Sequence, residues 1–102
     1  GMAAATHGNG VYGVCPDTTG VILKMNEDGS VVMFTGVSDM GNGSVTTQAQ
    51  AVAQELGISM DRIECIQADT DATMYDLGNY SSRGTYVSCN AAVKAAGKIR
   101  QE

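Results

Sequence analysis

Two short apolar runs, Val21 to Met25 and Val31 to Thr35, stand on either side of "NEDGS" in the stretch "GVILKMNEDGSVVMFTG". Both are β-rich, and Asp28-Gly29 supplies a corner that accepts positive φ, so the stretch predicts a β-hairpin. The period then changes. From Ser44 to Leu56 the apolar residues Val45, Ala49, Val52 and Leu56 recur at helical spacing and make one narrow stripe. Gly43 or Ser44 caps the start, and Gly57 fits the left-handed position after the end. "SMDRIECIQAD" (59–69) returns to alternation: Ile63, Cys65 and Gln67 against Glu64 and Ile66, a strand with one face well covered.

From Thr70 to Tyr80 the pattern is irregular, holding Asp71, Asp76 and Gly78 just after Asp69. A second helix is expected from Ser82 or Gly84 to the end, with Val87, Ala91, Ala95 and Ile99 as its buried stripe. Lys94, Lys98 and Arg100 lie in its second half, where positive charge suits the helix dipole. The order is strand or strands, hairpin, helix, strand, helix. It predicts an α+β fold: a small mixed sheet with a β-hairpin and two helices packed on one face. Residues 1–102 read as a single unit without repeat, linker or low-complexity segment.

Composition makes that unit look unfinished. A chain of 102 residues holds one small domain, and its aromatic content is limited to Phe34, Tyr12, Tyr75, Tyr80 and Tyr86. Its small, Ala-rich faces suit packing against neighbouring domains, and an isolated copy is expected to dimerise to cover them. Gly1 ahead of Met2 reads either as a cloning scar or as a cut from a longer protein. Thirteen glycines and one proline suit a chain of tight turns. Six basic against eleven acidic residues argue against a nucleic-acid binder, which needs a basic face to replace phosphate counterions. No apolar run approaches the roughly 20 residues of a membrane span. The start, "GMAAATHGNG", lacks the basic region and apolar core of a secretory signal, so a soluble, cytoplasmic protein is expected.

Cys15, Cys65 and Cys89 are far apart, no CxxC pair occurs, and His7 has no close partner, which argues against zinc and iron–sulfur sites. The cysteines read as reduced and structural, Cys89 as helix packing, and His7 as a polar strand-end residue. "QADTDATMYD" holds Asp69, Asp71 and Asp76 but lacks the order of a calcium loop, so these read as solvated turn residues.

Two stretches carry candidate binding chemistry. In "SDMGNGSVTTQ" (38–48), Gly41-Asn42-Gly43 leaves backbone bare at a helix mouth, and Ser44, Thr46 and Thr47 put hydroxyls around the first turn. Free amides and the positive end of a dipole attract anions without any charged side chain. Thr46 stands where a G-x-G-x-x-G fingerprint needs its last glycine, and no P-loop lysine follows. Taken alone, the corner reads as a glycine turn before an ordinary capped helix. In "GNYSSRGTYVS" (78–88), Gly78 and Gly84 bracket Ser81, Ser82 and Arg83 at a second helix mouth. Arg83 there pairs with a phosphate, or with Asp76 or Asp71 as a structural salt bridge. No residue by itself looks like a catalyst.

Taken in order, the hairpin, "DMGNG", "ELGI", "DRI", the "DTD" turn and "YSSRGTY" resemble the molybdenum-binding large subunit of the xanthine dehydrogenase and aldehyde oxidase family. The likeness runs from about Gly20 to Ile99 and is nearest the branch with carbon monoxide dehydrogenase and 4-hydroxybenzoyl-CoA reductase. The resemblance implies a molybdopterin cofactor, in that family often the cytosine dinucleotide form, held by backbone amides and small hydroxyls. Carried onto this chain, its contacts fall at Gly41, Asn42, Gly43 and Ser44 and at Ser81, Ser82, Arg83 and Gly84. Asn42 stands where the family has glutamine, one methylene longer, so the resemblance implies a backbone role there. It also implies hydroxylation of an aromatic heterocycle or aldehyde with water, and partner domains or subunits carrying [2Fe-2S] clusters and FAD. The family's general-base glutamate has no counterpart here, so the chain is expected to be a non-catalytic subdomain of a larger enzyme. The alternative is a free-standing α+β binding or assembly module.

Overall fold

A computed structural model describes residues 1–8, 10, 13 and 16–102. The hairpin forms as the sequence predicts, with β1 (Val21–Met25) antiparallel to β2 (Val31–Thr35). Gly29 takes the positive φ of the corner (78°), and the Asp28 carboxylate accepts the Ser30 N–H at 2.9 Å. β3 (Ile63–Gln67) adds in parallel to β2, giving the mixed order β1-β2-β3. Residues 1–8 and 16–20 form no strand, so none precedes the hairpin there, and His7 is an exposed coil residue instead of a strand end. Tyr12 and Cys15 lie outside the described residues.

The crossover from β2 to β3 is α1 (Ser44–Leu56), followed by a 3₁₀ turn at Met60–Arg62. α2 (Gly84–Gln101) closes the chain. Gly57 ends α1 in the left-handed region (φ 70°), with its N–H bonded to the Ala53 carbonyl. α1 lies along β3 and α2 along β1, side by side on one face of the sheet. Met33 packs beneath them in a cluster with Val45, Ala49, Val52, Ala92 and Ala96, bordered by Val21, Leu23, Leu56, Ile63 and Cys65.

The buried line of α2 differs from the expected one. Gly84, Ser88, Ala92 and Ala96 are buried, whereas Val87, Ala91, Ala95 and Ile99 are half-buried at its flank. The closest approach of α2 to α1 selects the smallest side chains, and the larger apolar residues fill the sides of the seam. Gln67 also departs from expectation: it is exposed, and its Oε1 accepts the Asp39 N–H at 3.2 Å.

Candidate functional site

The parallel run of α1 and α2 brings both helix starts to one end of the fold, beyond the C-terminal ends of β2 and β3. The Ser38 carbonyl joins them, accepting the Ser44 hydroxyl (3.4 Å) from α1 and the Asn79 Nδ2 (2.6 Å) from the approach to α2. At the far end Arg100 pairs with Glu55 at 3.2 Å, so the helices are tied together at both ends. Neither start has a side-chain cap or an acidic residue in its first turn. No first-turn carboxylate therefore offsets either dipole, although the corner that leads into α1 has its own acid, Asp39.

At the α1 mouth, Gly41 (φ 100°) and Gly43 (φ 71°) adopt backbone shapes that L side chains rarely take. A Cβ on either glycine would meet nothing within 4 Å, so the corner opens outward. One carboxylate oxygen, Asp39 Oδ1, accepts both the Gly41 N–H (2.8 Å) and the Gly43 N–H (3.1 Å). Asn42 Oδ1 accepts the Ser44 N–H at 3.3 Å. The amides of the corner thus converge on an anionic oxygen. Thr47 Oγ1 is used within the helix, donating to the Gly43 carbonyl at 2.8 Å, while Thr46 is exposed.

At the α2 mouth, a 3₁₀ turn at Tyr80–Ser82 places Ser81 (φ 53°) and Ser82 (φ 52°) consecutively in the left-handed region. Each such residue costs on the order of 1–3 kcal/mol and persists only where its surroundings hold it. Gly10 clamps the first, its N–H meeting the Ser81 carbonyl at 2.7 Å and its carbonyl accepting the Ser81 hydroxyl at 3.0 Å.

Arg83 anchors the rest. It is only 2 % exposed, and its guanidinium turns inward. Nε donates to Asp17, Nη1 to Asp76 (3.0 Å) and the Gly78 carbonyl, and Nη2 to the Thr18 carbonyl (2.8 Å). Asp76 is held in turn by the Gly78 N–H (2.7 Å) and the Thr19 hydroxyl. Burial pulls the Arg83 pKa down, but its bonds to Asp17 and Asp76 outweigh that and raise it, so the cation is secure. Of the two acidic partners expected for Arg83, Asp76 pairs with it; Asp71 is exposed and its N–H caps onto Asp69. Asp17, Thr18 and Thr19 had no local signal, because they lie over 55 residues away in sequence.

Close approach of backbone requires glycine at two points. A Cβ on Gly36 would overlap the Met74 carbonyl oxygen, and one on Gly84 would stand 2.5 Å from Asn79 Oδ1. That Asn79 oxygen is buried without a partner, as are both amide atoms of Gln48, one turn inside α1. Burial raises the pKa values of Cys65 and Cys89. Among the described residues, no group of three or more His, Cys, Asp or Glu side chains could hold a metal ion. A shallow cleft of about 250 Å³, lined by Asn26, Asp61, Arg62 and neighbours, lies at the other end of the sheet.

Gly41 to Ser44 and Ser81 to Gly84 thus share one end of the fold, on two uncapped helix starts. Over residues 1–102 the chain matches the model of the molybdopterin cofactor-binding domain family. It is a member of that family. This molybdopterin-binding domain is 30% identical to the xanthine dehydrogenase molybdenum-binding subunit of Escherichia coli O157:H7, over 100% of this chain and 14% of that one. It is 40% identical to the carbon monoxide dehydrogenase large chain of Afipia carboxidovorans, over 76% of this chain and 10% of the relative. Among solved structures, a Cu,Mo-CO dehydrogenase superposes with a TM-score of 0.78 at 36% identity, covering 83% of this chain and 11% of that one. The aldehyde oxidoreductase from Desulfovibrio desulfuricans superposes equally well, with a TM-score of 0.78 at 30% identity over 93% of this chain and 11% of that one. The domain therefore spans about a seventh of the xanthine dehydrogenase subunit and a tenth of the carbon monoxide dehydrogenase chain.

The donors present fit a molybdopterin. An anionic group needs converging amides and an uncompensated dipole, and a glycine corner lets it approach without meeting a side chain. The amides of Gly41 and Gly43 already donate to one anionic oxygen, Asp39 Oδ1, whose place an oxygen of the cofactor would take.

Proposed function

We propose that this domain is one wall of the cofactor cradle in a molybdenum hydroxylase, an oxidoreductase acting on an aromatic heterocycle or aldehyde. The observation that carries the reading is the convergence of two uncapped helix starts, free of first-turn acids, on the Ser38 carbonyl. Gly41, Asn42, Gly43 and Ser44 line the α1 mouth, and a bound anion takes over the amides that Asp39 and the Asn42 side chain now hold. From the α2 mouth come the Ser82 hydroxyl and the backbone amides of Ser81, Ser82 and Gly84, while the Ser81 hydroxyl is held by the Gly10 carbonyl. Arg83 serves by position: its buried ion pairs hold Ser81 and Ser82 in the strained conformation that presents them. An acidic chain can hold an anion this way because amides and dipoles supply the attraction and lysines are not needed.

When bound, the cofactor's molybdenum supplies two-electron oxidation, with water as the source of the oxygen. The chain's own part is to bind and orient. The reading extends to a dinucleotide form of the cofactor, whose phosphates suit the second helix start. It extends also to [2Fe-2S] and FAD partners that carry electrons onward, to further domains of a large subunit, and to a cytoplasmic location. No helix among the described residues is long and apolar enough to cross a membrane. A free-standing binding module shares the fold but leaves the paired helix starts without a ligand.

The test is the molybdenum and pterin content of the natural polypeptide that contains these residues. The reading expects close to one of each per chain, released together on denaturation. A purified, folded polypeptide from molybdenum-replete cells that carries neither would overturn it.

A further inference from the structure

The Gly41 and Gly43 amides, which the cofactor reading gives to an anion, already hold one that belongs to the domain. Asp39 Oδ1 accepts both, at 2.8 and 3.1 Å. The backbone of Asp39 is pinned separately, its N–H donating to Gln67 Oε1 (3.2 Å) at the end of β3. Its side chain is exposed, so rotation about the side-chain bonds carries the carboxylate into water without moving the corner. The space around the corner is open, since a Cβ on Gly41 or Gly43 would meet nothing within 4 Å.

The mouth also holds polar atoms that nothing among the described residues uses. Gln48 is fully buried one turn inside α1 and leans towards the helix start, as helical side chains do, yet neither of its amide atoms has a partner. Asn79 Oδ1, against the first residue of α2, has none either. Unpaired atoms thus stand on both sides of the mouth, and a ligand that completes it spans both helices.

A tethered carboxylate is a strong competitor for such a ligand. It is always present, at an effective concentration of at least about millimolar order, and it bears the same charge as an incoming phosphoryl oxygen. A free phosphate seated on the α1 corner alone replaces one anionic oxygen by another at the same amides and gains little. A ligand that also engages the α2 mouth makes its second contact within one complex, and that contact offsets the displacement.

We propose that Asp39 is a specificity-determining residue of the cradle: its carboxylate occupies the Gly41 and Gly43 amides in the empty domain, excludes small free anions, and yields only to a ligand that grips both helix mouths at once. The proposal rests on the cofactor reading and adds to it a filter against free phosphate.

The natural polypeptide that contains these residues tests it, as parent, D39N and D39S. Both substitutions keep an acceptor for the two amides and remove the charge. Cofactor-free polypeptide, from cells unable to make the pterin, is dialysed to equilibrium against radiolabelled inorganic phosphate. The variants are expected to bind phosphate at least about tenfold more tightly than the parent. Loaded polypeptide gives a second measurement: molybdenum retained per chain in about 50 mM phosphate, divided by that retained in chloride at equal ionic strength. The ratio is expected to stay near one for the parent and to fall by about threefold or more in the variants. It is taken within each protein, so a general change in folding or loading cancels. Variants that match the parent in either measurement, or bind phosphate less well, overturn the proposal and leave Asp39 as a brace for the corner. The cradle reading stands or falls separately, on the molybdenum and pterin content of the parent.

Discussion

Arg83→Met removes the cation that Asp76 faces in the interior, beside the strained turn that opens α2. Arg83 is 2% exposed and the Asp76 side chain 1%, so water cannot take over the missing interactions. Removing one partner of a buried ion pair costs about 3–5 kcal/mol. Asp76 keeps the Gly78 N–H and the Thr19 hydroxyl, which favours the lower end. Against that, the Thr18 and Gly78 carbonyls each lose a charged donor. A loss of about 3–4 kcal/mol follows, a large share of the ~5–15 kcal/mol that a domain of this size has in total. Urea unfolding followed by circular dichroism measures it. The double variant Asp76→Asn with Arg83→Met should lose less than the sum of the singles, by about 1 kcal/mol or more, because the fully buried carboxylate is gone and only Asp17, which is partly open to water, loses its cation. Molybdenum content of Arg83→Met in the full enzyme should fall as well, since Ser81 and Ser82 lose the anchor of their conformation. A stability loss below about 1 kcal/mol at unchanged m-value would refute the argument that this network holds the α2 mouth.

Gly36→Ala should destabilise by roughly 1–3 kcal/mol, because its Cβ overlaps the Met74 carbonyl and the 74–76 backbone must move; an unchanged melting temperature would contradict this. Gln48→Met should be neutral or stabilising by about 1 kcal/mol, since it replaces a buried amide with no partner by an apolar chain of similar length; clear destabilisation would mean the amide is bonded. Burial first, and then the Glu64 charge, raises the Cys65 pKa, so its native thiol should react more slowly with a disulfide reagent at pH 8 than after unfolding. The sign for stability follows: the contribution is full below the unfolded thiol pKa and is lost as pH rises through the higher folded value. Equal labelling rates in both states would count against it.

Much of the fold was legible because local rules and tertiary packing agree. The hairpin strands and α1 form over the residues that their periods marked, and Gly57 takes the left-handed position it suits. The buried face of α2 was not legible, since hydrophobic periodicity points to Val87 and Ile99 while close helix contact selects Gly84, Ser88 and Ala92. Both helix mouths could be found from glycine placement and small hydroxyls. Their convergence could not, because it depends on α1 and α2 lying parallel. Asp39 had a local signal, an aspartate two residues before a glycine whose N–H it accepts. Asp17 had none: its partnership with Arg83 exists only once the N-terminal segment has folded across the α2 mouth.

The most direct test of the cradle is a matched pair of substitutions, Gly43→Ala and Gly57→Ala. The two glycines have nearly the same conformation, φ 71° and 70°, and a Cβ on either meets nothing within 4 Å. Each should therefore lose about 1 kcal/mol of stability from the same left-handed strain. They differ in place, one at the mouth of α1 and the other at its far end. Molybdenum per chain, measured for both in the full enzyme, should fall severalfold in Gly43→Ala and stay at the parent level in Gly57→Ala. Equal loading in the two variants would contradict the claim that the Gly41–Ser44 corner holds the cofactor.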